Sequence, residues 1–134
     1  MPRYYELRKR LVDAGINISE MVPLPEEDIS SIICQSGSFL PPAYLDFLRE
    51  IGWGPLNEIS LMIYNRLIGA RSIFGSDTPE KWGRILIFGD DFSGYCYGFA
   101  SANDWKIVGI GPTEMDIREI SRSFEEFVWN RVNP

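Results

Sequence analysis

Apolar residues recur at helical spacing in four segments of the chain. The clearest helical face is formed by residues at positions i, i+3, i+4 and i+7, namely Tyr44, Phe47, Leu48 and Ile51. The same period predicts four helices, over residues 4–14, 25–36, 42–51 and 123–132. In the second helix we expect Ile29, Ile32 and Ile33 to form the buried stripe. The last helix opens with Ser123 and Glu126, which have the spacing of a capping box.

Shorter segments rich in aromatic and β-branched residues indicate strands. They cover residues 57–63, 84–88, 95–100 and 105–110. Residues 64–70 fit either a strand or a short helix, and residues 69–83 are expected to form a long, partly exposed loop. Ile117 and Ile120 continue the period of the last helix upstream, which leaves its start open. Short connections between the later strands favour an antiparallel meander, so the predicted fold class is α+β, with helices packed against an antiparallel sheet.

The chain divides into a short arm and a main body. Its 134 residues fit one domain on the usual scale of about 100 to 200 residues. Residues 16–25 contain two prolines and cannot form a regular helix. We therefore expect an N-terminal helical arm over residues 1–22 and an α+β domain over residues 23–134.

The distribution of charge along the chain indicates which kind of partner it can bind. The chain has a net charge of -6, but residues 1–10 hold four basic side chains and one acidic one, so the remainder carries -9. A negatively charged body repels the phosphate backbone of nucleic acids, so we expect no direct nucleic-acid binding. An acidic body instead suits a basic protein partner, because complementary fields speed encounter.

The chain lacks residues that several common catalytic and metal-binding sites require. The chain has no histidine, the usual metal ligand and proton-transfer group, and only two cysteines. Cys34 and Cys96 are both expected to be core or half-buried positions without a catalytic role, in a reducing, cytoplasmic setting. Neither a signal-peptide core nor a run of about 18 apolar residues is present, so we expect no membrane span and no membrane as a partner. We predict no cofactor, no metal and no enzymatic activity.

Two adjacent carboxylates, Asp90 and Asp91, lie in a predicted turn. Aspartate often hydrogen-bonds its own backbone in a tight turn, and this structural role is the simplest interpretation. A partner-facing role remains open, whereas a catalytic pair would need pKa values that are pushed apart, which adjacency alone does not supply.

Two tryptophans are candidate anchors for a partner. Trp53 lies between two glycines and Trp105 follows Asp104 in a predicted turn. Tryptophan is over-represented among interface hot spots, but large aromatic residues more often pack against a core. Both interpretations stay open for these two residues.

Three segments of the chain have the motifs of one known protein family. The first is Phe39-Leu40-Pro41-Pro42-Ala43-Tyr44-Leu45-Asp46-Phe47-Leu48, followed by Gly52-Trp53-Gly54. The second is Ile85-Leu86-Ile87-Phe88-Gly89-Asp90-Asp91-Phe92-Ser93-Gly94, and the third is Ser123-Phe124-Glu125-Glu126-Phe127. In this order they resemble the "LP-x-x-Y-x-x-F-L … G" helix, the strand with its "G-D … G" turn and the terminal helix of the SUKH superfamily, which includes bacterial immunity proteins and fungal cell-wall regulators of the Smi/Knr type. The resemblance covers roughly residues 24–132.

The resemblance implies a non-enzymatic α+β protein of the cytoplasm that binds and neutralises a cognate bacterial toxin. The toxin is expected to be a basic domain that meets an acidic surface of this chain. We expect that surface to contain four carboxylates and two tryptophans: Asp90, Asp91, Asp104, Glu58, Trp53 and Trp105. The alternative is a regulatory scaffold that organises other proteins, as the Smi/Knr relatives do.

Overall fold

A six-stranded antiparallel sheet forms the centre of the protein. The computed structural model describes residues 2–36, 39–113 and 116–133. The strands are β1 (Gly54–Leu56), β2 (Leu61–Gly69), β3 (Ile85–Asp90), β4 (Cys96–Ala100), β5 (Lys106–Ile110) and β6 (Ile117–Ser121). They lie side by side in chain order, each antiparallel to the next. The predicted α+β fold with an antiparallel meander is confirmed.

Five α-helices accompany the sheet in the part of the chain that the structure describes. They are α1 (Tyr5–Asp13), α2 (Glu26–Ser36), α3 (Pro42–Glu50), α4 (Ala70–Phe74) and α5 (Phe124–Val132). The four predicted helices are therefore confirmed to within one residue at each end. Ser123 begins α5 as expected, because its Oγ accepts a hydrogen bond of 3.2 Å from the Glu126 backbone N–H.

The two faces of the sheet carry separate hydrophobic cores. Neighbouring side chains of a strand point to opposite faces, so Phe88 and Tyr97 belong to one core whereas Ile87 and Cys96 belong to the other. The larger core also contains the buried residues of α1, α2, α3 and α5. The smaller core lies under α4 and a 3-10 turn, Glu80–Arg84, where Trp82 is buried.

Residues 1–22 and 23–134 share the larger core. Tyr4, Leu7 and Leu11 are buried in it together with residues of α3 and α5. Arg3 adds ion pairs to Asp46 at 2.9 Å and to Glu125 at 3.0 Å. The first helix is thus packed against the α+β domain rather than separated from it.

Several details differ from the sequence-based predictions. Residues 117–121 are an edge strand rather than the start of the last helix, because they pair with β5 before Ser123 caps α5. Residues 57–59 form a 3-10 turn, and the predicted loop of residues 69–83 contains α4. On α2, Ile29 and Ile32 face the core, which turns Ile33 and Cys34 toward solvent, so their predicted burial is wrong.

Candidate partner-binding surface

The turn between β3 and β4 is organised by Asp91. Its Oδ1 accepts hydrogen bonds from the Ser93 N–H at 2.9 Å, the Ser93 Oγ at 2.9 Å and the Tyr95 N–H at 3.1 Å. Burial opposes ionisation of this carboxyl, but the bonds from Ser93 and Tyr95 outweigh it and lower the pKa of Asp91. Asp91 is therefore a charged structural residue of the turn.

Asp90 is also held by its neighbours. Its Oδ2 accepts a hydrogen bond of 2.6 Å from the Tyr64 hydroxyl on β2, and its Oδ1 accepts one of 2.9 Å from the Phe92 N–H. Burial first, and then the hydrogen bond to Asp90, raise the pKa of Tyr64, so this hydroxyl stays a donor at neutral pH. The structural interpretation of both aspartates is confirmed, and both carboxylates remain part of the surface at the tip of the turn.

Phe92 occupies the tip between these fixed residues. Its side chain is 50% exposed and its φ is 71°, a conformation that bulky residues rarely adopt. The hydrogen bonds of Asp90 and Asp91 hold the chain in this shape. Sequence reasoning missed Phe92 as a candidate, although an aromatic residue amid turn-forming Asp, Ser and Gly was a visible signal.

Glu58 joins Asp91 at the same end of the sheet. The 3-10 turn Asn57–Ile59 connects β1 to β2, and Met62 of β2 pairs with Asp90. Glu58 and Asp91 consequently line one hollow of about 490 Å³, together with Tyr97 and Arg131. The structure thus brings together two of the predicted carboxylates, Asp91 and Glu58, in one hollow. With Asp90, which precedes Asp91 in the chain and accepts a hydrogen bond from Tyr64, they form what we call the acidic end.

Arg131 is the cation of this hollow, and it is already engaged. Its guanidinium donates to the Ile59 and Ser60 carbonyls and lies 5.6 Å from the centre of the Tyr97 ring. It ties α5 to the connection that carries Glu58. The acidic end is thus formed on a fixed backbone rather than on a free loop.

Asp104 and Trp105 lie at the opposite end of the sheet. The five residues of β4 separate the turn of Asp91 from the turn of Asp104, a distance of about 15 Å. Trp105 packs against Phe99, with ring centres 6.0 Å apart, and lines a different cleft together with Asp104 and Arg122. The four predicted carboxylates therefore do not form one continuous surface.

Trp53 is also remote from the acidic end. It precedes β1, whereas Glu58 follows that strand. Its backbone forms an isolated bridge with Val22, with hydrogen bonds of 2.9 and 3.1 Å, and its ring packs partly buried against the larger core. The packing interpretation of Trp53 and Trp105 is confirmed.

The two thiols differ in environment. Cys34 is exposed, whereas Cys96 is buried in the smaller core. Burial, supported by the nearby charges of Asp90 and Asp91, raises the pKa of Cys96 to about 11, so its thiol is protonated at neutral pH. Within the described ranges, no group of three or more Cys, Asp and Glu side chains lies close enough together to hold a metal ion.

No described helix is both long and apolar enough to span a bilayer. No protein-family model matches this chain, and no curated protein matches it significantly.

Proposed function

We propose that this chain is an immunity protein that binds a cognate bacterial toxin and neutralises it by covering a basic surface of that toxin. The proposal rests on the three motifs that resemble the SUKH superfamily and on the geometry of the acidic end. The observation that carries it is the meeting of Asp91 and Glu58 in one hollow, next to a turn in which the following residue, Phe92, exposes its ring.

This arrangement has the two components of a protein interface. An exposed aromatic residue can fill a partner's apolar pocket and supply a large share of the binding energy. Carboxylates around it steer a basic partner during encounter and reject acidic ones. Because the turn is already ordered by the bonds to Asp90 and Asp91, binding requires little further loss of conformational entropy.

The test measures association and dissociation rates with a catalytically inactivated toxin domain encoded by a neighbouring gene. Between about 0.01 and 0.15 M salt the Debye length shortens from about 30 to 8 Å, so the association rate should fall markedly while the dissociation rate changes less. Glu58→Lys should slow association further. Asp104→Lys makes the same charge change at the opposite end of the sheet and should lower the association rate much less.

A second pair of variants tests the aromatic anchor. Phe92→Asn keeps a residue that tolerates positive φ but removes the ring, and should raise the dissociation rate about tenfold or more. Phe39→Ala removes another exposed ring, at the opposite end, and should leave both rates unchanged. If the native chain neither binds nor inhibits the toxin, the immunity proposal is wrong. If it binds and Glu58→Lys and Phe92→Asn have no effect, the acidic end is not the interface.

A further inference from the structure

A cationic cleft lies between β6 and α5, next to the hollow of the acidic end, with which it shares Tyr97 and Arg131. It has a volume of about 420 Å³, within the range of small-molecule sites. Arg118 of β6 lies on one side, and Asn130 and Arg131 of α5 lie on the other. None of the described residues that line it is acidic, although the chain as a whole has a net charge of -6.

The two guanidiniums are differently placed. Arg118 Nε lies 3.7 Å from Asp116 Oδ2, and both side chains are more than half exposed, so this ion pair is weak and a ligand in the cleft can reach the Arg118 side chain. Arg131 is held in place by the Ile59 and Ser60 carbonyls, but its Nε is buried and has no hydrogen-bond partner in the described part of the chain. The charge of Arg131 at the wall of the cleft attracts an anion, although its buried Nε is itself out of reach of a ligand.

Aromatic rings form much of the remaining wall of the cleft. Tyr97 lies between Tyr95 and Phe127, with ring centres 5.6 and 5.0 Å away. Tyr95 packs so closely over Gly109 that a Cβ at this position would lie 2.4 Å from the tyrosine ring. The absence of a side chain at Gly109 therefore allows Tyr95 to lie beside Tyr97, and flat apolar groups favour contact with such rings.

We propose that this cleft binds a small aromatic anion, in which a planar ring contacts the tyrosines and a carboxylate or phosphate pairs with Arg118 and Arg131. Guanidinium groups bind both kinds of anion through charge-assisted hydrogen bonds. The binding of such a ligand needs no toxin, so it can be tested apart from the proposed function.

The test is a titration of the full-length, nitrogen-15-labelled chain followed by two-dimensional NMR. Benzoate and phenyl phosphate are the probes, inorganic phosphate tests the anion alone, and benzyl alcohol tests the ring alone. At least one aromatic anion should cause saturable shifts at Tyr95, Tyr97 and Asn130, with a dissociation constant about tenfold or more below that of either single-feature compound. The better of the two probes identifies the preferred anion.

Arg118→Gln should weaken binding of the better probe about tenfold or more, as expected for loss of one charged hydrogen bond. Arg84→Gln is the matched control, since Arg84 is an exposed arginine beside Val108, on the other face of the sheet. The native spectra locate the probe independently of either variant. The proposal is wrong if neither aromatic anion shifts the cleft residues, if inorganic phosphate binds as tightly, or if the two variants bind equally well.

Discussion

At the scale of single residues, Asp91 combines a structural role in its turn with a place in the proposed interface. Three hydrogen bonds to its Oδ1 fix the turn, and they also favour the charged form that a basic partner would encounter. Asp104 has the same side chain and a positive φ of 56°, but it is exposed, and no hydrogen bond to its carboxylate is found among the described residues. The two turns therefore respond differently to the loss of a charge.

We expect Asp91→Asn to destabilise the protein at pH 7 by about 1 kcal/mol, the difference between charged and neutral hydrogen bonds. Because the folded-state pKa of Asp91 lies below its unfolded value, its contribution is present above about pH 4 and is lost as pH falls through the folded pKa. Urea unfolding of native and variant chains from pH 7 to pH 3 should show the difference in stability shrinking as the pH approaches 3. Asp104→Asn should show little difference at any pH, and equal behaviour of the two variants would contradict the assigned role of Asp91.

At the scale of elements, α1 combines a buried and an exposed face on one short helix. Leu7 and Leu11 are fully buried against the domain, whereas Val12 is 58% exposed. A helix of nine residues is marginal on its own, so its order depends on this packing. The N-terminal segment is consequently part of the stability of the whole fold.

Leu7→Ala should lower the free energy of unfolding by about 2 to 5 kcal/mol, the range for truncating a buried leucine. Val12→Ala removes methyl groups from the exposed face of the same helix and should cost much less. Chemical denaturation followed by tryptophan fluorescence gives both values. Comparable losses of unfolding free energy in the two variants, or a negligible loss for Leu7→Ala, would mean that α1 is not packed against the larger core.

At the scale of the whole molecule, an aromatic cluster joins elements that are distant in sequence. Phe47 of α3 lies 5.5 Å from the ring of Tyr4 and 5.3 Å from that of Phe124, which connects the start of the chain to its last helix. Phe124 in turn contacts Phe88 of the sheet at 5.2 Å. Such rings contribute both buried area and edge-to-face contacts.

Phe47→Ala should destabilise the protein by about 3 to 5 kcal/mol, because it opens a cavity where three helices meet the sheet. Phe39→Ala provides the comparison, since that ring is 92% exposed and its loss should change stability by no more than about 0.5 kcal/mol. Thermal or urea unfolding measures both. A small effect of Phe47→Ala would show that this cluster does not hold the elements together.

Local patterns in the sequence were sufficient for the helices around Phe47 and Ser123, since helical period and end capping involve residues three or four positions apart. They were also sufficient to predict the antiparallel meander. In a meander, the turns of Asp91 and Asp104 necessarily lie at opposite ends of the sheet. Only the tertiary structure decided that Ile117 and Ile120 belong to a strand, because the hydrogen bonds to β5 compete with the local helical preference. It likewise decided the exposure of Cys34 and the meeting of Glu58 with Asp91, because burial and proximity depend on neighbours that are remote in sequence.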